Sequence, residues 1–245
     1  MFCSGDYGCK NGCIYCFSSW QNEKLFSSFN SISLDNFSIL YPVCDSEISY
    51  QNNLFWKQML KKLEELTFPA VICLSSKCYW DDDKLEDIVR YNSSHASTIK
   101  LAVSFSAMEN LDIIEPNASS FSERVNLLKR IISLGIPTNI LLKPILPFVT
   151  LDEYKSLVDV CSTMSKNFVI GGLYVDKNSD FFKEFICDKY RIVKRYSTWL
   201  KKELDYVEHP QYNELVSYIN KIGCKTFESD YDYVKKTIIE KGELE

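Results

Sequence analysis

Four short, largely apolar runs punctuate this chain: Ala70–Leu74 (AVICL), Ile99–Phe105 (IKLAVSF), Thr138–Leu142 (TNILL) and Phe168–Val175 (FVIGGLYV). Strands of this kind are buried on both faces, which a parallel sheet flanked by helices provides. The segments between them have helical signatures. Trp56, Met59, Leu60 and Leu63 recur at helical spacing between Leu54 and Leu66. Ser120-Phe-Ser-Glu123 can satisfy backbone donors reciprocally as a capping box. The helix it opens runs through Val125, Leu128 and Ile132, with Gly135 as a left-handed cap and Pro137 where the helix can no longer continue. Thr150-Leu-Asp-Glu153 predicts a second box, ahead of the stripe Leu151, Tyr154, Leu157, Val158, Cys161 and Met164. Further strands are expected at Phe2–Gly5 and Phe37–Val43. A closed eight-unit barrel takes about 250 residues. The expected α/β fold is therefore a partial, open TIM barrel of about (β/α)6, a parallel sheet covered by helices, over residues 1–175. Residues 176–245 are expected to form a mainly helical extension packing on or capping it. The site should lie at the C-terminal ends of the strands.

Directly after the first expected strand comes GCKNGCIYCF, residues 8–17, with Cys9, Cys13 and Cys16 close together and no fourth cysteine beside them. Ten cysteines would suggest disulfides in a small secreted chain, but this one has 245 residues and no visible export signal. Reduced thiols in the cytoplasm are the expectation, and no apolar run long enough to span a membrane is present. Three thiolates can hold three irons of a [4Fe–4S] cluster and leave the fourth iron open. Structural zinc takes four ligands, usually in close pairs. Cys3 could join the three, but C-x5-C-x3-C-x2-C is not a common zinc spacing, and His95 and His209 are remote in sequence. A non-catalytic iron–sulfur or zinc protein that senses redox state is the alternative.

Cys9-Lys-Asn-Gly-Cys13-Ile-Tyr-Cys16 resembles the CxxxCxxC signature of the radical S-adenosylmethionine (radical SAM) enzymes. Tyr7-Gly8-Cys9, Leu74-Ser-Ser-Lys-Cys-Tyr79, Ser104-Phe-Ser106, Glu115-Pro116, Glu123-Arg124 and Lys143-Pro-Ile-Leu-Pro147 follow the order seen in its spore photoproduct lyase-like branch. The resemblance implies that Cys9, Cys13 and Cys16 bind the cluster and that S-adenosylmethionine chelates the open iron. Reductive cleavage then gives a 5′-deoxyadenosyl radical that abstracts hydrogen from a substrate. It also implies Tyr15 against the adenine, Ser75 and Ser76 at the methionine moiety, and Ser104 and Ser106 at the ribose or carboxylate. Arg124 would pair with the cofactor carboxylate through a charge-assisted fork. Cys73 would return a hydrogen atom to the product radical, with Cys78 and Tyr79 as rivals. Lys143 interrupts an apolar strand end, where a buried ammonium needs a partner. Each has a plain reading too: Tyr15 as a core aromatic, the serines as loop residues, Arg124 as a solvated helix residue pairing with Glu123, Cys73 as a small buried hydrophobe. The glycine–glycine–glutamate strand end of many such enzymes is replaced here by Ser75-Ser76-Lys77.

The net charge of −5 gives no general attraction to polyanions and tilts the expected substrate toward a peptide or small metabolite, with nucleic-acid repair as the alternative. Lys189, Arg191, Lys194, Arg195, Lys201 and Lys202, interleaved with Tyr190, Tyr196 and Trp199 and diluted by acids, read as a solvated amphipathic helix. The implied partner is an electron donor such as flavodoxin or ferredoxin.

Overall fold

The computed structural model describes residues 1–5, 8–16, 26–34, 37–51, 53–197 and 201–239. Tyr7 and Trp199 lie outside the described residues. The strands are β1 (Ile39–Leu40), β2 (Val71–Ser76), β3 (Thr98–Ser104), β4 (Ile140–Leu142), β5 (Asn167–Ile170), β6 (Leu173–Val175), β7 (Ile192–Ser197), β8 (Lys202–Val207) and β9 (Lys225–Phe227). The α-helices are α1 (Asn53–Leu63), α2 (Asp82–Ser94), α3 (Leu111–Ile114), α4 (Phe121–Ser133), α5 (Leu151–Ser162), α6 (Tyr212–Lys221) and α7 (Asp230–Val234), with short π-helical segments at Phe182–Ile186 and Lys235–Ile239 and 3-10 turns at Phe29–Ser31 and Ile48–Tyr50.

The main sheet has the order β1-β2-β3-β4-β5-β9. Every pairing in it is parallel, and its edge strands are not paired to each other, so it is an open α/β sheet flanked by helices, as expected. Strand β2 shows why its sequence is apolar throughout. Ile72 and Leu74 enter the main core with the helices, whereas Val71 and Cys73 face a smaller cluster with Val169, Phe227 and Tyr233. Among the described residues no helix is long and apolar enough to cross a membrane.

Helix α4 starts on the expected capping box, with Ser120 accepting from the Glu123 amide and Glu123 reaching back to the Ser120 amide. Gly135 follows at φ +69°. Before α5 only half of the second box forms. Thr150 accepts from the Glu153 amide, but the Glu153 carboxylate accepts instead from the amides of Met108 (2.7 Å) and Glu109 (3.1 Å).

Several expectations are corrected. Phe2–Gly5 makes only two isolated parallel bridges, Phe2 to Tyr41 and Ser4 to Ser28, and the strand expected at Phe37–Val43 is confined to Ile39–Leu40. FVIGGLYV is two strands, because the chain leaves the parallel sheet at Gly171-Gly172 and joins an antiparallel sheet of order β6-β8-β7. The basic stretch expected to be a helix is the hairpin β7–β8. Pairing with β6 anchors it there: Tyr206 of β8 lies opposite Tyr174 of β6 with ring centres 5.2 Å apart. Beyond residue 175 the described chain combines helices with the strands β7 and β8, and its β9 enters the main sheet beside β5.

Gly172 permits this change of sheet. A Cβ there would stand 2.4 Å from the Val207 carbonyl oxygen and 2.8 Å from the Tyr206 hydroxyl, which itself accepts from the Gly172 amide. Gly172→Ala is expected to cost about 1–3 kcal/mol through overpacking. Calorimetry should read this as a fall of several degrees in Tm; an unchanged Tm would mean that β6 and β8 pack less closely than described.

Candidate active site

The cysteine loop is clamped onto the turn after α3. The Ile14 amide donates to the Ile114 carbonyl (3.1 Å), the Asn117 amide to the Asn11 carbonyl (3.0 Å), and the Asn117 side chain to the Lys10 carbonyl (2.9 Å). Gly12 turns the loop at φ +65°, a conformation that favours glycine. Cys13 is buried, Cys16 half-buried and Cys9 exposed. Burial pushes the Cys13 thiol up to about 12; Lys77 opposes this, while Glu115 and the thiols of Cys16 and Cys9 add to it. The three sulfurs therefore sit within electrostatic reach of one another. Among the described residues no three Cys, His, Asp or Glu side chains converge as a single metal ion requires. A cluster asks for something else, one thiolate for each of three irons, and the three cysteines of this one loop fit that donor set.

Beneath the loop lies a buried ionic hub. The Glu115 side chain has no exposed surface and accepts from Lys77 (2.8 Å), Ser106 (2.8 Å), Tyr15 and Arg124. Burial alone would raise its pKa, but Lys77 and then Arg124 hold it at about 2. Arg124, fully buried on α4, also donates to the carbonyls of Ser104 (3.0 Å) and Ser119 (2.8 Å). A second buried acid, Glu47, accepts from Ser76 Oγ (2.6 Å), the Lys77 amide (2.9 Å) and Asn11 (3.5 Å). The Cys78 thiol donates to Asn11 Oδ1 (3.2 Å).

A cavity of about 610 Å³ opens where the strands end. Its wall includes Tyr15 and Cys16 from the loop, Lys77 beyond β2, Lys143 beyond β4, Gly172 beyond β5 and Asp230 beyond β9. This is the size of a small-molecule pocket and the place a parallel α/β sheet reserves for ligands. Desolvation, then the charge of Arg195, lowers the pKa of Lys143, against Asp230 and Glu228.

The structure therefore brings Cys16, Tyr15 and Lys143 to the cavity and distributes the other expected residues differently. The Tyr15 hydroxyl is spent on Glu115. Ser75 is exposed at the end of β2 on the same face as Cys73, but Ser76 turns to the opposite face and is occupied by Glu47. Ser104 is buried on β3, and Ser106 serves Glu115. Arg124 is neither solvated nor paired with Glu123; its hydrogen bonds go to Glu115 and two carbonyls. Cys78 is buried under the loop, and Tyr79 stands 57% exposed beneath the Arg130 guanidinium, away from the cavity wall. Cys73 is buried in the inner cluster, against which Tyr41 packs, and Lys100, its register partner on β3, pairs with Asp230 at 2.7 Å. Sequence reasoning missed Glu47, Lys77, Lys100 and Asp230 as site residues. Of the hub, Tyr15, Ser106, Arg124 and the Glu115-Pro116 turn carried a signal in the sequence, but not their convergence on one carboxylate.

An open parallel α/β sheet flanked by helices, with a three-cysteine loop and a cavity at the C-terminal ends of its strands, defines a partial TIM barrel. Its fold is that of spore photoproduct lyase. One mutant of that protein superposes with a TM-score of 0.62 at 15% identity, covering 89% of this chain and 70% of that one. A mutant with dinucleoside spore photoproduct gives 0.64 at 14% over 87% and 70%. Another, with bound AdoMet and dinucleoside spore photoproduct, gives 0.62 at 14% over 89% and 70%. No protein-family model and no curated protein matches the sequence.

Proposed function

We propose that this protein is a radical SAM enzyme, in which Cys9, Cys13 and Cys16 hold a [4Fe–4S] cluster and S-adenosylmethionine occupies the 610 Å³ cavity. The observation that carries this reading is the shared wall: Cys16 and Tyr15 belong both to the cysteine loop and to the cavity at the strand ends. A structural neighbour carries AdoMet in the same fold. When bound, the cluster supplies the electron that splits S-adenosylmethionine into methionine and a 5′-deoxyadenosyl radical. The chain's own residues do the rest. Tyr15 borders the cofactor, Lys143 offers a cation to a carboxylate across the cavity, and Phe2, Tyr41 and Tyr174 make its aromatic wall. Cys73 remains the hydrogen-donor candidate, reaching the cavity by way of Tyr41. The reductant is a small electron carrier such as flavodoxin or ferredoxin.

The test is anaerobic reconstitution, dithionite reduction with S-adenosylmethionine, and quantitation of 5′-deoxyadenosine. Release is the expected result. Four irons without cleavage would leave substrate-gated cleavage and redox sensing as the two readings, and zinc in place of iron would overturn the assignment.

For the substrate we retain a peptide or small metabolite. Some of the neighbours carry dinucleoside spore photoproduct, but this chain has a net charge of −5 and two of its hairpin cations are paired with acids, Lys194 with Asp205 (3.1 Å) and Arg195 with Glu228 (3.7 Å). No salt-dependent retardation of single-stranded or duplex DNA is therefore expected in a gel shift. Retardation that weakens steeply as salt rises would move the assignment to nucleic acid.

A further inference from the structure

We propose that Lys77 is a positioning residue that sets the reduction potential of the cluster, by holding a fixed positive charge against the sulfur of Cys13. The inference rests on the reading of Cys9, Cys13 and Cys16 as cluster ligands. Lys77 Nζ lies 3.8 Å from Cys13 Sγ, 2.5 Å from the Tyr15 hydroxyl and 2.8 Å from Glu115 Oε1. An ammonium has three N–H donors, and these are three acceptors. Nζ also sits 4.7 Å from the centre of the Tyr15 ring, and the Lys77 amide is tied to Glu47 at 2.9 Å. Both ends of the residue are thereby held, and the cation is directed at the loop rather than at solvent.

The charge count gives the direction of the effect. Glu115 carries one negative charge and is shared by two cations, Lys77 and Arg124. Arg124 is engaged with Glu115 and with carbonyls of Ser104 and Ser119. The set keeps one net positive charge, and the cation next to the sulfur is Lys77. A reduced cluster carries one more electron than an oxidised one, and hydrogen bonds and charges at its sulfurs are what tune its potential. In a buried, weakly screened setting a cation at this distance favours the reduced state. The Ser75-Ser76-Lys77 strand end thus gains a purpose of its own, placing a lysine where it touches both Cys13 and Tyr15.

The experiment is an EPR-monitored redox titration of the reconstituted full chain, without S-adenosylmethionine, on wild type, Lys77→Met and Lys77→Arg, with iron counted in each preparation. In Lys77→Met the ratio of reduced to oxidised cluster at a fixed potential is expected to fall at least tenfold, a midpoint lower by about 59 mV for a one-electron couple. Lys77→Arg, which keeps the charge, should stay within threefold of wild type. A Lys77→Met protein holding four irons at the wild-type midpoint overturns the proposal, because a bracing role alone would leave the potential in place. Should Lys77→Met fail to load iron, Lys77→Gln is compared with Lys77→Arg. Glutamine can still donate to Tyr15 and Glu115 but carries no charge, so equal midpoints overturn the proposal and a tenfold difference supports it. A wild-type chain that takes up no four-iron cluster overturns this proposal together with the reading beneath it, and is recognised by the iron count alone.

Discussion

Replacing Cys13 by alanine is expected to abolish 5′-deoxyadenosine release. Cys13 is the central thiol of the loop and the only buried one of the three, held over Lys77 and Glu115. Without it two thiolates face a group that needs three, and neither an exposed Cys9 nor a half-buried Cys16 can take its place. The same preparation should lose most of its iron. Cys187→Ala is the matched control, a half-buried cysteine in the loop before β7 that is not on the cavity wall, and it should cleave S-adenosylmethionine as the wild type does. Undiminished release from Cys13→Ala, measured by chromatography after dithionite reduction, would sink the assignment of the loop.

The second large effect falls on stability. Glu115→Gln leaves Lys77 and Arg124 buried without the carboxylate they share, and breaking a buried ionic set by removing one partner costs about 3–5 kcal/mol. That is a large part of the margin of an ordinary domain. Acid should show the same interaction from the other side. The Glu115 carboxyl, against its ordinary value of 4.5, is held at about 2, because the opposed burial is outweighed by Lys77 and Arg124. The unfolded chain therefore takes up the proton first. The stabilisation is fully present above the ordinary value and is lost as pH falls from there through about 2, on the order of 3 kcal/mol in all. Urea denaturation at a series of pH values should show this acid limb in the wild type, and a limb flattened by about that amount in Glu115→Gln. Parallel curves would mean that Glu115 does not carry the charge of the hub.

These two residues were not equally visible in the sequence. Cys13 announces itself by spacing, since Cys9, Cys13 and Cys16 lie within one loop and their chemistry depends on neighbours a few positions away. The same holds for the apolar runs that became β2, β3 and β4, for the Ser120–Glu123 box, and for Gly135 as a cap. Hydrophobic period and capping are local effects, so a linear string carries them. Glu115 meets Tyr15 across 100 positions and Lys100 meets Asp230 across 130. The apolar run around Lys100 signals its burial, but nothing within a helical turn of either residue shows which distant partner it faces.

Arg124 illustrates the boundary most plainly. Local reasoning offered Glu123 next to it, yet Glu123 is committed to the cap of α4 and Arg124 turns inward to Glu115. The hairpin β7–β8 is a second case, where charge pattern suggested a solvated helix and pairing with β6 decided for strands. Tyr79 is a third, adjacent to site residues in sequence but placed on the outer surface by its turn. By itself the sequence determined the strand and helix alternation, the class of fold and the three thiols with their spacing. Only the tertiary structure decided which charges are buried together, which side chains border the cavity and where the last seventy residues return to the sheet. The physical reason is range: periodicity and caps act over a few residues, whereas desolvation and ion pairing depend on which distant segments the fold brings into contact.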